Sequence, residues 1–267
     1  MKDLCVIACF VMLAGCATAP VEETKAFGSA VAAVTSAADS ILDDFNTAER
    51  NRFYRQRGRS FRLKTADEAY YYSTIAEAPA TRQFRRAMSV VRDYSELLRI
   101  LVDGTNVQAV HVKAQALADT VSSIVADPRV KLVVGALLPL IDQLSAVASI
   151  EEAKRLAVAG DGPMRELLVS LRSAAPVILD EFLSDIQENS ATPQLDINKR
   201  ATERRVAISN YIVLLDRLGE TFSSLIRAFE HPTNPVSLAT LVRASSLLEA
   251  DVIASRKALA ALRGSST

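Results

Sequence analysis

Tryptophan is absent from this chain, histidine occurs twice and cysteine three times. Neither His111 nor His231 has a glutamate three residues earlier, which removes the Glu-x-x-His ligands of a di-iron bundle. Glycine is also scarce, at nine residues, and none of them builds a phosphate-cradling loop or a Gly-x-Ser-x-Gly nucleophile turn. No excess of either charge exists: 31 cations face 31 acids. No global field therefore draws the molecule to nucleic acid. Sustained strand alternation with hairpin turns is missing as well, which excludes a sheet-based fold.

What the chain does have begins at its N-terminus. Lys2 precedes an apolar run from Leu4 to Leu13, and two small residues then lead into Cys16. This is the layout of a cleavable export signal, and it is shorter than the about 20 apolar residues a spanning helix needs. A plain secretory cut after Ala17-Thr18-Ala19 fits the small-x-small pattern, and an apolar first helix fits the run alone. Leu13-Ala14-Gly15-Cys16 resembles the lipobox of bacterial lipoproteins. That resemblance implies removal of residues 1–15, acylation of Cys16 and a stable membrane anchor. Ala17, in place of an aspartate after the cysteine, implies the outer membrane, facing the periplasm. Cys5 and Cys9 would leave with the signal, so no disulfide and no cysteine metal site is expected in the mature chain.

Beyond a polar tether over 16–24, the apolar spacing is helical throughout. Phe27, Val31, Val34, Ala38, Ile41, Phe45 and Ala48 step by fours and threes, the signature of one buried seam. Phe84, Met88, Val91, Tyr94, Leu98 and Leu101 repeat it, as do Val107, Val110, Ala114, Leu117, Val121 and Ile124. A further seam is expected from Ile208, Ile212, Leu215, Gly219, Phe222, Ile226 and Phe229. Gly58 and Gly104 read as helix stops, Asn106 as a cap, and Thr65–Glu68 and Ser149–Glu152 as capping boxes. Asp127-Pro128, Thr192-Pro193 and Asn234-Pro235 each place a cap before a first-turn proline.

The segments predicted are 25–57, 66–78, 80–103, 107–126, 128–148, 150–159, 163–190, 194–230 and 235–263. Long amphipathic helices with short connections predict an all-α fold: one elongated, mostly antiparallel up-and-down bundle over 25–267. Leu132–Ile141 is apolar all round, which predicts a central core helix bent at Pro139. Pro176 should bend a second helix, and two bends open the possibility of a lipid-sized core cavity.

Two polar patterns are candidates for function. Asp39, Asp43 and Asp44, and then Asp180, Glu181, Asp185 and Glu188, cluster on helical faces of the kind that usually meet solvent. They could serve a divalent metal or acid–base chemistry only if further ligands converged on them. The stronger pattern is Arg50, Arg52, Arg55, Arg57, Arg59, Arg62 and Lys64, seven cations in fifteen residues with Phe53, Tyr54 and Phe61 between them and no acid. Such a stretch can pair with phosphates or carboxylates of the envelope, although a solvated helix end carries the same signature. The sequence thus predicts a non-catalytic, lipid-anchored adaptor or scaffold with no cofactor, contacting an envelope protein or an anionic envelope polymer and not nucleic acid. Carriage of a lipid or other apolar ligand in the bundle core is the alternative.

Overall fold

The structure, a computed structural model, describes residues 19–58, 62–104, 106–124, 135–144, 149–188 and 194–264. Among these lie nine α-helices and one 3-10 turn, with no strand. The helices are α1 (Ala19–Arg57), α2 (Ala69–Tyr72), α3 (Pro79–Asp103), α4 (Val107–Ser122), α5 (Leu138–Asp142), α6 (Ile150–Ala159), α7 (Asp161–Glu188), α8 (Gln194–Glu230) and α9 (Pro235–Gly264), and the 3-10 turn is Ala66–Glu68. The predicted signal and Cys16 lie outside the described residues, as do the Asp127-Pro128 and Thr192-Pro193 caps.

The organising element is α1, which α3, α7, α8 and α9 all touch. Its seam is the reason. Phe27, Val31, Val34, Ala38, Phe45 and Ala48 are buried, but so are Ala30, Leu42, Thr24 and Thr35 on the flanks, as a helix surrounded by neighbours requires. Pairings across the seams fix the directions. Arg99 lies beside Gly28 while Phe84 meets Phe45, so α3 runs antiparallel to α1. Phe27 meets Phe222 while Arg204 reaches Asp44, so α8 is antiparallel as well. Phe182 meets Phe45 and Asp185 meets Arg55, so α7 runs parallel to α1, and α9 packs beside α1 and α8, with Arg256 on Ser36. At 1.5 Å per residue, the two ends of α1 stand about 55 Å apart.

The local signals explain most helix ends. Asn106 accepts the amide of Ala109 at 2.9 Å and Ser149 that of Glu152 at 3.2 Å. Gly58 and Gly104 adopt φ of 58° and 66°, the left-handed conformation that lets a carbonyl at the helix end be satisfied without a Cβ clash. Gly160 is required for a different reason. A Cβ there would stand 2.1 Å from the Tyr94 hydroxyl. That hydroxyl is fully buried and donates to the Leu156 carbonyl at 2.7 Å, tying α3 to the turn between α6 and α7.

Four expectations need correction. First, α1 starts at Ala19, so most of the expected tether is helical, and only Ala17 and Thr18 separate Cys16 from the helix. Second, the segment 66–78 is not one helix: the 3-10 turn and α2 end at Ser73, whose backbone is extended and whose hydroxyl accepts the Ile75 amide at 3.1 Å. A serine turn of that kind competes with the helix, and Ala78 is held extended by Pro79. Third, the described part of the apolar run is not a central helix. It forms only the five-residue α5, packed beside α4 and α6, with Pro139 in its first turn, where no helical hydrogen bond is lost. Fourth, Ile212 is only partly buried, while its neighbours Tyr211, Leu214 and Leu215 on α8 face the core.

Candidate functional site

The basic stretch sits at the end of α1 remote from Ala19. There α1 is covered on one side by α7 and on another by its own return segment, residues 62–78, which runs back along the stripe of Arg57, Phe53/Tyr54, Arg50 and Asn46. The stripe follows from helical spacing, since these positions recur every three or four residues. The return segment is too short and polar to build a core of its own, and side chains of α1 hold it instead.

Arg50 is the main clasp. Its guanidinium donates to the carbonyls of Tyr71 at 2.9 Å and Ser73 at 2.6 Å, and also to that of Ala76. These are the carbonyls that the interrupted helix leaves without helical partners. The Tyr54 hydroxyl donates to the Tyr71 carbonyl at 2.5 Å, and Asn46 accepts the Ala78 amide at 2.9 Å. Arg57 pairs with the buried carboxylate of Glu68, which also accepts the Lys64 amide at 2.8 Å. Glu68 thus takes the backbone amide of Lys64 and not that of Thr65, and the Thr65 side chain makes no cap bond, so the predicted capping box does not form. Phe53 stacks on Tyr71 with centroids 4.0 Å apart, Tyr72 meets Phe53 and Tyr54 edge-on or tilted, and Arg57 lies over the Phe53 ring. Two contacts fasten the segment to α3: Arg82 over Tyr70 at 4.0 Å, and Arg85 on Glu77 at 2.6 Å.

The other side of α1 faces α7. Arg52 pairs with Glu181, and Arg55 with Asp185 at 2.8 Å and with Glu188. Asn51 donates to the same Asp185 carboxylate at 3.1 Å. Desolvation works against the Arg55 charge, yet the hydrogen bond and charges of Asp185 and Glu188 outweigh it and raise its pKa. Glu49 accepts the amides of Ala80 and Thr81 at 3.0 and 2.9 Å, which caps α3. Burial, followed by the charge and hydrogen bond of Glu49, pushes the Tyr71 hydroxyl above its ordinary range.

Arg50, Arg52, Arg55 and Arg57 are therefore all engaged within the molecule. Arg62 and Lys64 are exposed, and their side chains make no ion pair or hydrogen bond among the described residues; Arg59 and Phe61 lie outside those residues. Most of the two acidic clusters is likewise engaged. Asp39 and Asp43 hold Arg85 at 2.6 and 2.7 Å, Asp44 holds Arg204, and Glu181, Asp185 and Glu188 hold α1, while Asp180 is exposed. Among the described residues no group of three His, Cys, Asp or Glu side chains is placed to hold a metal ion.

The sequence displayed both the arginines and the acids but not their meeting, because Arg55 and Asp185 are 130 residues apart. The legible signal was complementarity: an acid-free basic helix end, and an acidic helix end of matching polarity in the bundle. The clasp by Arg50 had no sequence signal, since it is made to backbone carbonyls.

Space for an apolar ligand is not where the prolines suggested. Pro176 lies on the exposed face of α7. The void among Phe27, Val91, Tyr94, Met164, Leu168, Leu218 and Phe222 measures about 10 Å³, roughly one water. A wider groove of about 380 Å³ opens between α1, α8 and α9, with Ile41, Tyr211 and Leu259 in its walls and Arg256 at its rim. No described helix is long and apolar enough to cross a membrane. Comparison with family models, with curated proteins and with solved structures finds no match for this chain, so its own geometry carries the functional reading.

Proposed function

We propose that the protein is a non-catalytic, lipid-anchored adaptor of the bacterial envelope, held by Cys16 in the outer membrane on the periplasmic side, that presents the far end of its bundle to an envelope partner carrying acidic groups. The supporting observation is the polarity of α1: a helix of 39 residues begins three residues after the lipobox cysteine and ends in the braced basic and aromatic segment. Three residues of chain reach no more than about 11 Å. The bundle's near end is thus kept close to the anchoring membrane, and its far end is free to stand about 55 Å from it. This differs from an extended tether, which would let the basic stretch lie on its own membrane. Arg62 and Lys64 supply the unneutralised charge for an acidic partner, whereas the arginines of α1 serve to shape the surface.

The anchor is tested by Cys16→Ser in the full-length chain. Labelling with a fatty-acid probe should be lost, and firm membrane attachment of a processed chain with it. Unchanged labelling would sink the lipoprotein reading.

A further inference from the structure

The return segment shows more than charge. Its outer edge exposes Ile75 almost completely, at 97%, together with Leu63 at 58% and the ring of Tyr72, beside the exposed ring of Tyr54 on α1. Exposed apolar side chains are ordinary on a mobile loop, but this segment is gripped. Arg50 holds the carbonyls on both sides of Ile75, those of Ser73 and Ala76, and the four-ring contact fixes Tyr72. Ile75 is therefore displayed rigidly at an exposed position, which lowers the entropy cost of using it in a contact.

We propose that this edge, Tyr54, Leu63, Tyr72 and Ile75 flanked by Arg62 and Lys64, docks a folded protein whose contact face joins an apolar pocket to acidic residues. The inference rests on the reading of the far end as a presenting surface and names the partner's class. Tyrosine, arginine and a well-placed aliphatic anchor are the groups that concentrate binding energy in protein interfaces, with charge at the rim. Within the described part of the basic stretch an anionic polymer would find only Arg62 and Lys64 free, and it has no pocket for Leu63 or Ile75. A flat bilayer fits poorly too. Arg50 ties Ser73 and Ala76, and Ile75 between them, to the flank of α1 about 10 Å before its last residue, so the apolar groups are not gathered at the tip. A second copy paired through this same edge would add another Arg62 and Lys64 to the contact and no acidic patch to meet them.

The test places a photoreactive amino acid at Ile75 or Tyr72 of the full-length, lipidated chain in intact cells, with a control at Val169, an exposed position on α7. The expected result is one discrete protein adduct from positions 75 and 72 and none from 169. With the probe at 75, its yield should fall about tenfold or more in a chain carrying Arg62→Glu and Lys64→Glu, and similarly in one carrying Leu63→Asp. These side chains are exposed, so thermal unfolding of the variants should match the parent and exclude misfolding as the cause. Dependence on both the cations and Leu63, not the appearance of an adduct, carries the test. Adducts with lipopolysaccharide, sacculus, lipid or a second copy would overturn the protein-docking inference and leave the far end as a contact surface. A yield indifferent to the substitutions would overturn it also. No adduct at either edge position, whether or not Val169 reacts, would overturn both the inference and the reading on which it rests.

Discussion

The two ends of α1 are built by different chemistry. Towards Ala19 the helix is packed on several sides by apolar side chains: Phe27 on Phe222, with Tyr94 against the same ring and Val31, Val34 and Leu98 fully enclosed. Towards Arg57 the neighbours thin out, and guanidinium groups hold carboxylates of α7 and backbone carbonyls of the return segment. The difference teaches why a basic stretch need not be a binding stretch. Arginine has a fork of donors on a long apolar stem, so it can fasten a short polar segment that could never bury enough surface to fasten itself. Within the described part of the basic stretch, cationic charge is left over only at Arg62 and Lys64, beyond that fastening.

The largest effect should come from breaking the apolar end. Leu98→Ala should cost about 2–5 kcal/mol, because that side chain is fully enclosed and its loss leaves a cavity. Ile212→Ala, on the partly buried edge of α8, should cost clearly less. Urea unfolding of both variants checks this, and equal losses would show that the core is centred differently on α8.

Breaking the polar end should act locally. Arg50→Ala removes three hydrogen bonds to carbonyls and should loosen residues 66–78 by roughly 1–3 kcal/mol, tempered by solvent reaching the freed carbonyls. Amide exchange should quicken in that segment and stay slow over the Met88–Leu101 core. Uniform acceleration along the chain would mean that the clasp supports the whole bundle.

The smallest effect at neutral pH, sharpening the same contrast, is alkaline. Burial pushes the hydroxyls of Tyr94 and Tyr211 far above the ordinary value of 10.0, and burial with Glu49 raises that of Tyr71. A raised tyrosine pKa favours the neutral form in the fold. The stability it represents is fully present below the unfolded value and is lost as pH rises from there through the folded value. Urea midpoints should hold steady from about pH 7 to 9 and fall beyond about pH 10. Tyr94→Phe should start lower, having lost the bond to Leu156, and decline less steeply.

Much of the fold was legible in the sequence. The seams of α1, α3 and α4 read correctly at nearly every position, since a period near 3.6 with apolar residues leaves few other ways to bury them. Val107 is an exception, exposed in the first turn of α4. The failures cluster where the local signal and the neighbours disagree. Thr65–Glu68 began an element as predicted, but the Ser73 turn and the Arg50 clasp ended it early. Leu132–Ile141 looked like a core helix by composition, yet its described part packs beside α4 and α6, and α1, amphipathic by its seam, took the centre. A central position depends on which helices pack around a segment as well as on its own apolarity.

By itself, the sequence determined the helical class, the main helix stops and the seams, together with the lipobox pattern that carries the resemblance to lipoproteins. These are matters of residues within a few positions of one another, where sterics, capping and periodicity act. The tertiary structure alone decided which charges are neutralised. Asp185 and Arg55, or Glu68 and Arg57, are brought together by folding, and a charge's effect depends on what lies within a few ångströms of it. It also decided that the basic end of α1 stands a bundle's length from Ala19 and that Ile75 faces outward, because the direction of a helix and the outer edge of a clasped segment exist only once the helices have packed.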